Sequence, residues 1–321
     1  MPVLVVGSYN CDMLFRSEQL PVRGETRLGT FATAHGGKGF NQAVAAHRAG
    51  AETTFSGALG DDAQGEQVRA FATAIGLRCR WQQGSEPTGV ACVVSETSGE
   101  NQIVVAPGAN LELTFRTDDL PDRPADGCTV LLAQQECSLE LTRQALADAA
   151  QRGALAMLNP APADLPGAET LLDLTDLVTP NEAEFAALLA ARTGETLPAD
   201  WASAPPEQLQ GWCGQLGGGT VVITMGRRGG FFSVPADNYW QLPETYGRFE
   251  AFSVSAIDTT GAGDAFNGNL AAALAGGEAL QPALTRAAAA AALSTTALGA
   301  APSMPDAAAV DQLLTTFPVT N

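Results

Sequence analysis

Residues 35–60 read HGGKGFNQAVAAHRAGAETTFSGALG. A glycine-rich turn is followed by apolar residues at three- and four-residue spacing, then by a short apolar run closed by glycine. That order predicts turn, amphipathic helix and buried strand. The alternation continues on both sides. VLVVG (3–7) precedes it, and CTVLLAQ (128–134), ALAMLN (154–159), DLVTPN (176–181) and TVVITMG (220–226) follow. Between these runs lie GEQVRAFATAIG, LELTRQALADAAQRG, NEAEFAALLAAR and PEQLQGWCGQLG, all with helical spacing. Strand and helix alternating this often imply an α/β fold, a doubly wound and mostly parallel sheet flanked by helices. In such sheets ligands bind beyond the carboxyl ends of the strands, where the polar motifs of this chain also fall.

Two segments break the alternation. Residues 12–35 and 88–105 (TGVACVVSETSGENQIVV) read as hairpin-forming strands with no helix between them. They are expected to build a small antiparallel β lid on a single domain spanning 1–321. The last third holds two alanine-rich helices, and no internal repeat or low-complexity linker occurs.

A formal net charge of -18 argues against a nucleic-acid binder, which needs a basic face. It leaves room for a nucleotide, since backbone N–H groups can hold phosphates inside an acidic protein. The N-terminal MPVLVVGSYNCD has no basic start, and its apolar run is too short for a signal peptide or a membrane span. A cytoplasmic enzyme is expected. Six scattered cysteines without C-x-x-C spacing and only two histidines, His35 and His47, argue against structural zinc and a disulfide framework.

The chemistry concentrates in IDTTGAGDAFNG (257–268). Gly261, Ala262 and Gly263 lead straight into an apolar helix, so unpaired backbone N–H groups would form an anion hole at its start. Asp264 stands at the same place, either as a plain N-cap or as a general base beside the phosphates. A Walker A loop fails at Ala32 and Gly39, and a dinucleotide fingerprint fails at Phe266.

DTTGAGD (258–264) and the Gly36-Gly37 pair are similar to the two motifs of the ribokinase family of sugar and nucleoside kinases, in the same order. The resemblance runs the whole chain. GSYNCD (7–12) implies that Asn10 and Asp12 bind sugar hydroxyls, and GGKGFNQAVAA (36–46) places Gly37, Lys38 and Asn41 near the sugar. APGAN (106–110) resembles a lid-proximal segment, and NPAPA (159–163) also matches. QQE (134–136) puts Glu136 at a sugar-contacting position. TPNEAE (179–184) puts Asn181 and Glu184 where the family organises magnesium and phosphate, generally through water. ITMGRRG (223–229) resembles the ATP-contacting strand and turn, with Thr224, Gly226 and Gly229; Asn181 and Gly263 complete that set. Asp258, Thr260, Ser294, Ala297, Gly299 and Ser303 resemble a potassium site, although Ala297 stands where the family often has a basic residue.

Without the resemblance each residue has a plainer reading. Asn10 and Asp12 could form a local turn, Asn41 could face solvent, Glu136 could end a strand, and Asn181 with Glu184 could form a capping box. Lys38 is the only lysine beside sixteen arginines. Either it fell there by chance, or a slot between glycines admits a compact ammonium and not a planar guanidinium.

The resemblance implies transfer of the γ-phosphoryl group of MgATP to the primary (5-) hydroxyl of D-ribose, with potassium as activator, Asp264 as base and a homodimer formed through the lid. Kinases of the same family for 2-deoxyribose, fructose, adenosine or pseudouridine would differ in the lid and around Phe40. A non-catalytic sensor on the same scaffold would bind without turnover, and a dinucleotide oxidoreductase is disfavoured by the failed fingerprint.

Overall fold

The computed structural model describes residues 2–96, 101–117, 120, 129–163 and 165–316. Residues 97–100 of the second lid segment, and Cys128, lie outside them.

The main sheet has the order β13-β12-β11-β10-β9-β8-β1-β4-β5. From β5 to β11 every neighbouring pair is parallel. Its centre is formed by β1 (Pro2–Val6), β4 (Glu52–Leu59), β8 (Val130–Ala133), β9 (Leu155–Leu158), β10 (Leu177–Val178) and β11 (Thr220–Thr224). These are the six predicted runs. They are largely apolar because helices cover both faces, although β4 also carries Thr53, Thr54 and Ser56. Val3, Val5, Leu132, Leu155 and Met157 pack on one face beneath α1 (Lys38–Arg48), α2 (Ala63–Ile75), α6 (Ala262–Ala275) and α7 (Leu280–Ser294). Leu4, Val6, Leu131, Ala133, Ala156 and Leu158 pack on the other beneath α3 (Leu139–Gln151). Further along that face, α4 (Glu182–Thr193) and α5 (Pro206–Leu216) cover β10 and β11.

Three strands of the main sheet escaped the sequence reading. β5 (Arg78–Gln83) is an edge strand, RCRWQQ, too polar to register as an apolar run. β12 (Gly230–Val234) and β13 (Thr245–Phe249) pair antiparallel beyond β11, so the sheet is mixed at that margin.

The expected small sheet is present, in the order β3-β2-β6-β7. It comprises β2 (Asn10–Ser17), β3 (Thr30–Gly36), β6 (Val90–Glu96) and β7 (Asn101–Ala106). Two antiparallel pairs, β2–β3 and β6–β7, are joined by a parallel pairing of β2 with β6. The register places Asn10, Asp12 and Leu14 on one face with Ala91, Val93, Ile103 and Val105. The last helix is α8 (Ala307–Thr316), and no helix among the described residues is long and apolar enough to cross a membrane.

Candidate active site

β1 ends at Val6 and passes to β2 through Gly7, Ser8 and Tyr9, and α1 starts directly over this crossing. Glycines make the approach possible. A Cβ on Gly37 would lie 2.6 Å from the Asn10 nitrogen, one on Gly39 2.6 Å from the Ser8 nitrogen, and one on Gly36 2.2 Å from the Asp12 carboxylate. Gly37 also adopts φ 85°, a value costly to any residue with a side chain.

No side chain caps α1 in the usual way. Its first amides instead find partners across the fold. The Lys38 N–H donates to Glu136 Oε2 at 2.9 Å, the Phe40 N–H to the Ser8 carbonyl at 2.9 Å, and the Gly39 N–H to Ser8 Oγ at 3.4 Å. Ser8 in turn donates to Glu136 at 2.5 Å. Glu136 is thereby neither a free strand end nor a helix cap of its own segment.

α6 also begins at a glycine without a side-chain cap, Gly261 at φ 76°. The Ala262 N–H reaches the Thr259 carbonyl at 3.2 Å, whereas the amides of Gly263 and Asp264 find no acceptor among the described residues. Asp264 is not the N-cap. Its carboxylate turns into the protein and accepts hydrogen bonds from Asn41 Nδ2 and Gln42 Nε2, both at 2.9 Å. α1 and α6 can bring these groups together because Gly268 leaves room: a Cβ there would sit 2.5 Å from the Ala45 methyl and the Gln42 carbonyl.

Gln42 is the centre of a buried amide network that the sequence reading missed. Gln134 Nε2 donates to Gln42 Oε1 at 2.6 Å, and Gln42 Nε2 is shared with Asn159 Oδ1 at 3.0 Å. Asn159 continues to the Thr179 carbonyl, Thr179 to Asn267 and Asn267 to the Gly263 carbonyl. All of these residues stand inside motifs already quoted. Residues 39–46 of α1 are buried all round, so periodicity could not single out which of them reach Asp264. Asn41 Oδ1 is buried with no partner among the described residues, and an orphaned acceptor suits a ligand hydroxyl.

Charge is concentrated here. Burial pushes the Asp264 carboxyl above its usual range, against Lys38 and the two amide donors, and Glu136 adds to the push. Burial works against the Lys38 ammonium, but Asp264, Glu136 and Glu184 outweigh it and raise its pKa. Asp12 is pushed up to about 7 by burial and by the charges of Glu136 and Asp264. Asn10 is buried alongside and accepts from Asn110 Nδ2 at 3.0 Å; Asn110 also clasps the Tyr9 backbone, its Oδ1 accepting from the N–H and its Nδ2 donating to the carbonyl.

Asn181 and Glu184 do form the capping box. The Glu184 N–H donates to Asn181 Oδ1 at 2.9 Å and the Asn181 N–H to Glu184 Oε2 at 2.8 Å. Both residues also line a cavity of about 190 Å³ shared with Lys38, Thr224, Gly261, Ala262, Gly263 and Asp264. Burial raises the Glu184 carboxyl, opposed by the box and by Lys38. A larger cavity of about 410 Å³ adjoins it through Thr224, Thr259, Ala262 and Gly263. Gly226 and Gly229 line its rim, and Phe249, Phe252, Val254, Phe266 and Ala288 make its walls apolar.

Of the six residues in the potassium set, Asp258, Thr260 and Gly299 meet directly. Asp258 Oδ1 accepts from the Thr260 N–H at 2.9 Å and its hydroxyl at 2.7 Å, and Oδ2 from the Gly299 N–H at 3.0 Å. The hydroxyls of Ser294 and Ser303 donate to their own local carbonyls, of Ala291 and Ala300, and Ala297 is exposed. Phe40 does not line either cavity. Its ring is fully buried among Tyr9, Phe55, Phe71 and Trp81, behind the helix, because the next two positions take the site-facing side.

Comparison with known proteins accords with this geometry. The model of the pfkB family carbohydrate kinases matches residues 2–307. The chain is 36% identical over 277 residues to the bifunctional ribokinase/ribose-5-phosphate isomerase A of Fructilactobacillus sanfranciscensis, covering 85% of this chain and 48% of that protein. It thus spans about half the length of that relative. Identity to the ribokinase of Haemophilus influenzae is 35% over 304 residues, covering 94% of each. The structure of Arabidopsis thaliana ribokinase complexed with ribose and ATP is similar with a TM-score of 0.79 at 31% identity, covering 98% of each chain. Motif order, sheet topology and a match along nearly the whole sequence agree: this chain belongs to the pfkB family of carbohydrate kinases.

Proposed function

We propose that the protein transfers the γ-phosphoryl group of MgATP to the 5-hydroxyl of D-ribose. The observation that carries this is a carboxylate, Asp264, at the foot of a helix start with free amides, between a nucleotide-sized apolar cavity and a buried polar nest. In this reading Asn10, Asp12, Gly37, Lys38, Asn41 and Glu136 orient the sugar. Asp264 accepts the proton of the attacking hydroxyl; its two amide bonds leave a lone pair on each oxygen and fix its direction. Lys38 and the amides left free at the start of α6, those of Gly263 and Asp264, stabilise charge on the transferred group. Thr224, Gly226, Gly229 and Gly263 hold the nucleotide with Asn181.

A magnesium ion fits beside Glu184. The capping box uses one carboxylate oxygen, and the residue still lines the phosphate-sized cavity. One carboxylate plus waters and phosphate oxygens is ordinary for this metal, which would neutralise phosphate charge. The Asp258 loop, with Thr260, Gly299 and the carbonyls near Ser294, Ala297 and Ser303, offers the single carboxylate suited to potassium. The protein is read as one domain whose small sheet is a lid, excluding water on closure. Phe15, Phe31, Ile103, Val104 and Val105 are exposed on that sheet, which supports a homodimer formed through it. A cytoplasmic location belongs to the same reading.

The test is ADP release from MgATP with D-ribose, 2-deoxyribose, fructose, adenosine and pseudouridine, with and without potassium. Preference for ribose is expected, and Asp264→Asn should lower kcat about 10³-fold, the scale of losing a general base, while MgATP still raises Tm. ATP binding without turnover of any acceptor would make the protein a sensor.

A further inference from the structure

Helix α1 delivers Lys38, Asn41 and Gln42 at its N-terminal end, and its last residue, Arg48, lies at the other. The Arg48 guanidinium is half-buried and donates from Nη1 to the carbonyls of Met304 at 2.5 Å and Pro302 at 3.0 Å. Those carbonyls belong to the segment that buttresses the open start of α6. A Cβ on Gly261 would meet Ala300 and the Met304 methyl at 3.2 Å, so the backbone that turns into α6 rests on these two residues. The segment is also tied to the preceding loop, by Gly299 to Asp258 and by the Thr295 carbonyl, which accepts from Ile257 at 2.7 Å and Asp258 at 3.1 Å.

We infer that Arg48 is a positioning residue for phosphoryl transfer, coupling the sugar-bearing helix to the α6 amides through the 295–304 segment. This rests on the function proposed above. A guanidinium suits the task because one planar group can hold two carbonyls at a fixed separation, whereas an ammonium is a flexible point charge. The nearby Asp306 favours the cation without taking either bond. Arg48 does not touch the cavities, so its loss should leave binding intact and displace the amides on which the transferred group depends.

The experiment compares wild type, Arg48→Met and Arg48→Lys by hydrogen exchange and by steady-state kinetics with ribose and MgATP, below the lowest Tm. In Arg48→Met, amide exchange in 258–264 and 295–304 should accelerate. kcat should fall about tenfold with the KM for ribose within twofold, and Arg48→Lys should recover part of both. Unchanged exchange in 258–264, or an unchanged kcat beside a lowered Tm, would overturn the inference and leave Arg48 a stability residue. Absence of sugar turnover in the wild type would instead refute the proposed function, while the exchange data would still decide whether Arg48 holds the α6 start.

Discussion

Two helices of this protein, α1 and α6, begin in the same way and end up with opposite properties. Each starts at a glycine of positive φ, Gly37 or Gly261, and neither has a side-chain cap. At α1 the first amides are consumed by Glu136 and Ser8, so the glycines serve close approach and the helix start is closed. At α6 the amides of Gly263 and Asp264 remain free, among the described residues, beside a cavity. A glycine-rich helix start is therefore not an anion site by itself. What decides is whether another part of the chain reaches the donors first, and here a glutamate 98 positions away does so at one helix, whereas at the other no described residue reaches the amides of Gly263 and Asp264.

The largest expected effect tests that difference directly. Gly261→Ala forces a side chain onto Ala300 and Met304 and disturbs the free amides. kcat should drop about a hundredfold, the scale of a lost oxyanion donor, with little change in the KM for ribose. Gly37→Ala meets rigid backbone, the Asn10 nitrogen at 2.6 Å, and should lower Tm more and raise the ribose KM. Kinetics and thermal unfolding of both variants check this; the reverse pattern would exchange the roles assigned to the two helices.

Opening the closed helix is the next step. Glu136→Gln leaves a neutral acceptor for Lys38 N–H and Ser8 but weakens two charge-assisted bonds. A loss of about 1–2 kcal/mol in unfolding free energy is expected, with a ribose KM raised about tenfold and kcat little altered. Chemical denaturation and substrate titration measure the two, and a kcat loss as large as that of Gly261→Ala would erase the distinction.

The smallest effect is in pH. Asp12, raised to about 7 by burial, Glu136 and Asp264, takes up a proton as pH falls through that value. If the ionised carboxylate accepts a sugar hydroxyl, kcat/KM for ribose should decline below pH 7. The stability linkage has the opposite sign. A carboxyl that binds protons more tightly when folded favours the native state below its unfolded value near 4, and that contribution is lost as pH rises towards 7. Asp12→Asn should flatten both profiles, and a wild-type profile flat across pH 6–8 would remove Asp12 from the sugar site.

Much of this molecule was legible before any coordinates. The six central strands stood out because burial on both faces makes them largely apolar. Asp264, Lys38 and Glu136 stood out from their motifs. Other features were hidden for definite reasons. β5 lies at an edge and carries polar residues, and nothing local marks β2 and β6 as parallel neighbours. Phe40 sat in the most informative motif yet faces the aromatic core. Asn181 and Glu184 offered two readings, capping box or ligand contact; the box is formed, and it does not remove them from the cavity.

By itself the sequence determined the alternation of strand and helix, the carboxyl-end location of the polar motifs and the glycines at both helix starts. These are set by local periodicity and backbone sterics, which a short window contains. Only the tertiary structure decided that Gln42, not merely Asn41, grips Asp264, that Glu136 closes α1, and that α6 stays open. Those outcomes depend on contacts between residues as much as 223 positions apart, where burial in a pattern tells that a side chain is inside but not which partner satisfies it.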